Sequence, residues 1–405
     1  MSEPATAEDT ALGLLSRPGF ARLLAYRIFA MLSYQVVAVT VGWHIYEVTR
    51  NPFSLGLIGL AEVVPFFCVA PFAGYLVDHL PRRRLGMVAC CGLIATALVL
   101  TSVAMGGLPI AGVWPIYAAI ALTGMVRAFL SPIYNALFAR VLARDQFARG
   151  AGLGAVVFQA GMIAGPALGG VLVGFGGKGL SYAVATAFAL VAMACLATLK
   201  VEEPVHAGPA APIFIGNRIM VGAMALDMFS VLLGGVVAML PAFLHEILHH
   251  GPEGLGILRA MPALGSVCVG LWLARHPLHR NAGRVLLFAV AGFGLCVIGF
   301  GLSQHFWLSA LILLFYGAFD GVSVVIRSTI LQLATPEEMR GRVSSINGIF
   351  ISSSNELGAF YAGTMAKLLG LVPAVVLGGF AVLSVAGITA WKNPTLRKLN
   401  LRDLQ

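Results

Sequence analysis

Eight ionisable side chains stand in stretches that are otherwise almost wholly apolar: Arg27, Glu62, Arg127, Asp227, Arg259, Asp320, Arg327 and Glu356. In hydrocarbon an unpaired charge costs roughly 2.5–3.5 kcal/mol even on the most lenient insertion scale, so these groups must face protein or water. There a carboxylate can take up and release a proton, and an arginine can neutralise it or hold an anion. A carboxylate that alternates between dry and wet surroundings changes its proton affinity, which is the requirement for coupling proton flow to another movement. Glu62 and Glu356 lead the acidic candidates, with Asp227 and Asp320 next, and static ion pairing is the competing reading for each. Arg259, near a helix end, is expected to snorkel toward the interface.

A second constellation is catalytic in type. His245-Glu246-Ile247-Leu248-His249, followed by His250, fits the His-Glu-x-x-His pattern, which on a helix sets two imidazoles one turn apart with a glutamate as base. The motif closes an apolar run, finds no third ligand beyond His250 or Glu253, and has no soluble domain to shape a cleft. An amphipathic helix end is therefore expected, and His245, His249 and His250 are weak candidates for metal. No Gly-x4-Gly-Lys-Ser/Thr loop occurs, so ATP hydrolysis is not expected to supply the energy. No enzymatic activity and no cofactor are expected.

The elements that must hold these residues follow from composition. Of 405 residues only 11% are charged, 59% are hydrophobic, and the mean hydropathy is +0.90. A soluble domain carries about 25% charged residues, so most of this surface faces a bilayer. Apolar runs at 20–47, 53–77, 85–105, 112–138, 149–174 and 180–199, then 218–244, 254–274, 284–303, 306–334, 342–368 and 371–391 predict twelve helices, since a continuous span in lipid must satisfy its own backbone. The six cysteines fall inside these runs and read as small buried hydrophobes. The N-terminus lacks the pattern of a signal peptide, and the first span is expected to direct insertion.

The polar, proline-containing segment 200–217 divides the chain into a 20–199 bundle and a 218–391 bundle, flanked by tails 1–19 and 392–405. An internal repeat supports the division: at an offset of 200, Leu55-Gly56 aligns with Leu255-Gly256, Arg127 with Arg327, and Arg27-x-Phe29 with Asp227-x-Phe229. Of the 26 Lys and Arg residues, 19 fall in the tails and even-numbered connections and three (Arg50, Lys178, Lys367) in the odd-numbered ones. That bias puts both termini in the cytoplasm. The net charge of +9 thus reports orientation, and no nucleic-acid partner is expected.

Two loops and one helix carry signatures. Gly74-Tyr75-Leu76-Val77-Asp78-His79-Leu80-Pro81-Arg82-Arg83-Arg84 follows span 2; an aspartate beside an arginine cluster can cap neighbouring helices and latch a closed state. This segment resembles the loop signature of the major facilitator superfamily, Gly-x-x-x-Asp-Arg-x-Gly-Arg-Arg/Lys, matching at Gly74, Asp78, Arg82 and Arg83 and departing at His79 and Pro81. Span 5 holds Gly152, Gly161, Gly165, Pro166, Gly169 and Gly170, a density of small residues that admits another helix at close range. It is similar to the antiporter motif of that superfamily's drug/proton exporters, which implies efflux. The run from Arg327 through Pro336-Glu337-Glu338, Arg340, Arg342 and Asn347 to Asn355-Glu356, together with Asp145-Gln146-Phe147-Ala148-Arg149, resembles the enterobactin-exporter branch.

The resemblance implies two pseudo-symmetric six-helix bundles whose helices 1, 4, 7 and 10 line a central cavity. Arg27, Tyr34, Trp43, Arg127, Phe319 and Arg327 are then the expected cavity residues, and the repeat register pairs Arg27 with Asp227. The expected function is proton-coupled antiport of an amphipathic organic compound, siderophore or drug, across a bacterial inner membrane, by a monomer driven by the proton gradient and surrounded by membrane lipids. A lipid flippase and a metal transporter using the histidine cluster are the alternatives.

Overall fold

The computed structural model describes residues 11–107, 112–143, 146–201, 218–276, 281–334 and 340–399, which contain helices and no strand. In chain order they are α1 (Ala11–Leu15), α2 (Pro18–Thr49), α3 (Pro52–His79), α4 (Arg82–Ala104), α5 (Trp114–Val141), α6 (Phe147–Ala197) and α7 (Arg218–Leu233). A 3-10 turn (Val236–Met239) leads into α8 (Leu240–Glu246), followed by α9 (Pro252–Arg275), α10 (Ala282–Leu302), α11 (Phe306–Ala334), α12 (Arg340–Leu369), α13 (Leu371–Lys392) and α14 (Pro394–Arg397). The outermost parts of both tails, most of segment 200–217, Asp145 and residues 335–339 lie outside the described residues.

Ten stretches among the described residues are long and apolar enough to cross a membrane. One of them, α6, joins two of the expected spans, parted at Gly177, whose φ of 74° is a conformation that glycine adopts without a steric cost. The 30-residue α12 is the least apolar of the long helices. Counting both halves of α6 and including α12, the helices are consistent with twelve crossings. Interior prolines at Pro65, Pro71, Pro132, Pro166 and Pro262 are tolerated because neighbouring helices re-satisfy the freed carbonyls.

Span 7 departs from the continuous helix expected over 218–244. It breaks at Gly234-Gly235, with the Gly234 amide closing on the Ser230 carbonyl at 2.9 Å before the chain resumes in α8. Two adjacent glycines weaken the helix, and the α12 backbone presses on the break: a Cβ at Gly235 would stand 2.7 Å from the Gly358 carbonyl oxygen. The cysteines also differ from expectation. Among the six, only Cys90 is fully buried, while Cys68, Cys91 and Cys268 are exposed.

The described residues fall into two compact units, one from 1–41 and 61–209, the other from 42–60 and 210–405. In the first, α4 packs on α5 and α6 around Leu23, Tyr26, Cys90, Leu93, Ile133, Leu137 and Leu196. In the second, α9 packs on α11, α10 on α11 and α13, and α12 on α7 and α13. The α9–α11 contact is backbone to backbone. A Cβ at Gly265 would sit 2.9 Å from the Ala318 nitrogen, and one at Gly317 would overlap the Pro262 main chain.

Candidate functional site

In the first unit α3 and α5 bring Glu62 and Arg127 into an ion pair. The helices meet closely because Gly124 has no side chain: a Cβ there would lie 3.2 Å from the Glu62 Cα. Tyr34 of α2 completes the group, its ring 5.4 Å from the Arg127 guanidinium carbon. The pair is partly wet, with side-chain exposures of 24% for Arg127 and 12% for Glu62.

Arg27 is held differently. Its guanidinium carbon lies 4.0 Å from the centre of the Tyr134 ring and 5.3 Å from that of Phe158. Among the described residues no carboxylate pairs with it. The Tyr134 hydroxyl beside it is buried and has no hydrogen-bond partner among those residues. Buried Gly154 of α6 lies under both groups; a Cβ added there would stand 2.6 Å from the Tyr134 Oη and 3.1 Å from the Arg27 Nη1.

The second unit contains the drier pair. Arg327 of α11 and Asp227 of α7 form an ion pair with side-chain exposures of 3% and 7%. One turn before Arg327, the Ser323 hydroxyl accepts from its Nε at 3.2 Å. Asp227, Ser230, Phe293, Phe319, Asp320 and Ser323 line a cavity on the scale of one water molecule. Asp320 makes no direct hydrogen bond or ion pair among the described residues, so the cavity presents one directly paired carboxylate and one without a direct partner.

The two residues that the repeat register matched each have a partner within their own unit. Asp227 pairs with Arg327 of its own unit and Arg27 lies over Tyr134 of its own. The repeat-equivalent arginines, 127 and 327, do each hold a carboxylate, but from non-equivalent helices. Glu356 of α12 is half-buried, close to where Gly59 abuts the same helix, a Cβ at Gly59 standing 2.9 Å from the Ala359 Cβ. Trp43 is half-buried in the 42–60 segment. Arg259 is half-buried on α9.

The glycine motif of α6 faces α2. Added Cβ atoms would meet Met31 and Ile28 at Gly161 (3.1 and 3.2 Å), the Gln35 Cγ at Gly165 (3.2 Å), and Val39 and Val36 at Gly169 (3.1 and 3.3 Å). Pro166 and Gly170 are buried beside them, whereas Gly152 is exposed with open space around it. Approaching the α3–α4 junction, Gly74 and Asp78 of α3 are exposed. The arginines there act as helix caps: Arg82 donates to the Val77 carbonyl at 3.2 Å, and Arg83 donates to the Ala197 carbonyl at the end of α6. Arg22 donates to the neighbouring Thr198 carbonyl at 2.8 Å. Cationic donors suit a helix C-terminus, where the last carbonyls lack partners and the dipole is negative.

The His-Glu-x-x-His pattern does not lie on one helix. α8 stops at Glu246, and His249 has a φ of 51°, outside any helix. His245 faces the Arg50 guanidinium, Glu246 accepts from the Tyr46 hydroxyl, and His250 stacks on Phe306 at 4.5 Å. No cluster of three or more potential metal ligands occurs among the described residues. Sequence reading missed Tyr46, Tyr134, Gly154, Phe158 and Ser323 as partners of the charged groups. A signal existed for one of them: Ser323 precedes Arg327 by four positions, a helical spacing.

Comparison with known proteins accords with this geometry. Residues 23–359 match the family model described as Major Facilitator Superfamily. The chain is 25% identical over 395 residues to the enterobactin exporter EntS of Citrobacter koseri, covering 92% of this chain and 91% of that one. It is 24% identical over 387 residues to EntS of Shigella flexneri, with the same coverages. Among solved structures it is similar in fold to the nucleoside transporter NupG, with a TM-score of 0.71 at 13% identity, covering 92% of this chain and 99% of that one. It is also similar to a bacterial homolog of the human lysosomal transporter Spinster in an inward-facing, occupied conformation, with a TM-score of 0.74 at 13% identity over 93% and 97% of the two chains. With its membrane-spanning helices and a family match over most of its length, the chain is a multi-pass membrane transporter belonging to the Major Facilitator Superfamily.

Proposed function

We propose that the protein is a secondary active exporter that moves an amphipathic organic compound of the siderophore type out of the bacterial cytoplasm by alternating access, in exchange for protons. The observation that carries the coupling is the second-unit cavity, where Asp320 stands without a direct partner beside the Asp227–Arg327 pair. A proton arriving there can neutralise Asp320 without breaking an ion pair, and its loss restores a charge in a nearly dry site. The Glu62–Arg127 pair is the second place where protonation would release an arginine. Support for efflux comes from the close seat of the α6 glycines on α2 and from the exporter relatives. The bias of basic residues supports an inner-membrane location with both termini cytoplasmic. The chain acts as a monomer, without a cofactor.

The test uses inside-out vesicles whose lumen has been acidified. A proton antiporter makes the lumen more alkaline when a transported compound is added, with the response lost on Asp320→Asn. Uptake that leaves lumenal pH unchanged would remove proton antiport. A deletion strain should accumulate its siderophore inside the cell, and unchanged intracellular levels would remove the siderophore reading. The metal-transport alternative has less support, since His245 faces Arg50 and His250 stacks on Phe306.

A further inference from the structure

Of the three arginines among the expected cavity residues, two are neutralised within their own units, Arg127 by Glu62 and Arg327 by Asp227. Arg27 alone of these three keeps its charge uncompensated by any described carboxylate. Its guanidinium lies over the Tyr134 ring and near that of Phe158, contacts that hold it in place without supplying an acceptor for its N–H groups. The Tyr134 hydroxyl is a second donor without an acceptor. A buried donor left without an acceptor is costly, so the Tyr134 hydroxyl gains by meeting an oxygen, and Arg27 by meeting an anion. Gly154 lets both donors keep this arrangement, since any larger residue would push Arg27 Nη1 and Tyr134 Oη aside.

We propose that Arg27, Tyr134 and Gly154 form the cradle for an anionic oxygen of the transported compound, a carboxylate or an ionised catechol, with Phe158 against its apolar body. This rests on the export reading above and names the chemistry that the exporter selects. A planar oxyanion fits the guanidinium fork in a bidentate manner. Phe158, 39% exposed, offers a ring face to an aryl group attached to that oxyanion. Arg27 and Gly154 each lie within ten residues of the start of their helices, and Tyr134 within ten of the end of α5. All three are therefore at the termini-facing end of their helices, which is the entry side for an exporter with cytoplasmic termini.

The test measures the thermal unfolding midpoint of the full chain in lipid nanodiscs against benzoate, benzamide and benzamidine, three ligands of nearly the same shape with charges of −1, 0 and +1. A fourth ligand, 4-nitrocatechol, is ionised at neutral pH. Benzoate, 4-nitrocatechol or both should raise the midpoint saturably, and whichever responds identifies the source of the oxyanion; benzamide and benzamidine should not. Arg27→Gln should abolish the response, and Gly154→Ala should abolish it while leaving the charge in place. Tyr134→Phe, which preserves the ring, should weaken apparent affinity about tenfold, the worth of one hydrogen bond to a charged group. Equal responses to benzoate and benzamide, no response to either anion, or an undiminished response in Arg27→Gln would each overturn the cradle. Siderophore efflux from cells persisting without anion binding would sink this site and leave the export reading standing; anion binding without efflux would do the reverse.

Discussion

Asp227→Asn removes one charge from the drier ion pair and leaves Arg327 facing a neutral amide in a site where its side chain is only 3% exposed. Breaking a buried pair from one side costs about 3–5 kcal/mol, because the remaining ion is neither paired nor hydrated. Two neighbours soften the loss here. Ser323 continues to accept from the Arg327 Nε, and Asp320 lines the same cavity, so about 3 kcal/mol is expected. The effect should grow in an Asp320→Asn background, and Arg327→Gln added to Asp227→Asn should recover part of the loss, giving a coupling of at least about 1 kcal/mol. The partly wet Glu62–Arg127 pair is the internal control: with exposures of 12% and 24%, Glu62→Gln should cost only about 1 kcal/mol. Unfolding of the purified chain titrated with denaturing detergent and followed by tryptophan fluorescence gives these differences. An Asp227→Asn variant within 1 kcal/mol of the parent, or single substitutions that simply add in the double, would refute the claim that burial makes this pair interdependent.

Other consequences are testable together. In transport assays across a pH series, Asp320→Asn should flatten the pH dependence, because the amide mimics the protonated acid at every pH; a parallel, unshifted profile would clear Asp320 of the coupling role. Along α6, Gly165→Val should abolish transport by displacing α2 at Gln35, whereas Gly152→Val, with nothing within 4 Å, should be silent; equal effects would show that the glycines do not act through packing. Arg83→Ala removes a cap from the α6 C-terminus and should lower stability by about 1 kcal/mol, read as a fall in melting temperature with export retained. His245→Ala should leave zinc binding by calorimetry at the parent's level, since the parent motif is not a helical ligand pair; a zinc affinity that drops with the substitution would contradict this.

The amino-acid sequence by itself determined the solvent, the spans and the residues that could not be idle. Hydropathy acts locally along a helix, so most span boundaries fall within a few residues of the described helices, and α11 ends where the 306–334 run ends. The cost of intramembrane charge likewise singled out Glu62, Arg127, Asp227 and Arg327 without any contact being known. The sequence could not say who pairs with whom. Glu62 and Arg127 are 65 residues apart, a distance at which partnership depends on how each helix is rotated about its axis and how close glycines such as Gly124 let the backbones come. The same tertiary facts ended α8 at Glu246, which dissolved a pattern that looked catalytic in one dimension. They also left Arg27, which the repeat had assigned to Asp227, charged and stacked on rings with a bare hydroxyl beside it. A charge in hydrocarbon announces that it needs a partner, but only the packing of helices distant in sequence decides which one it receives.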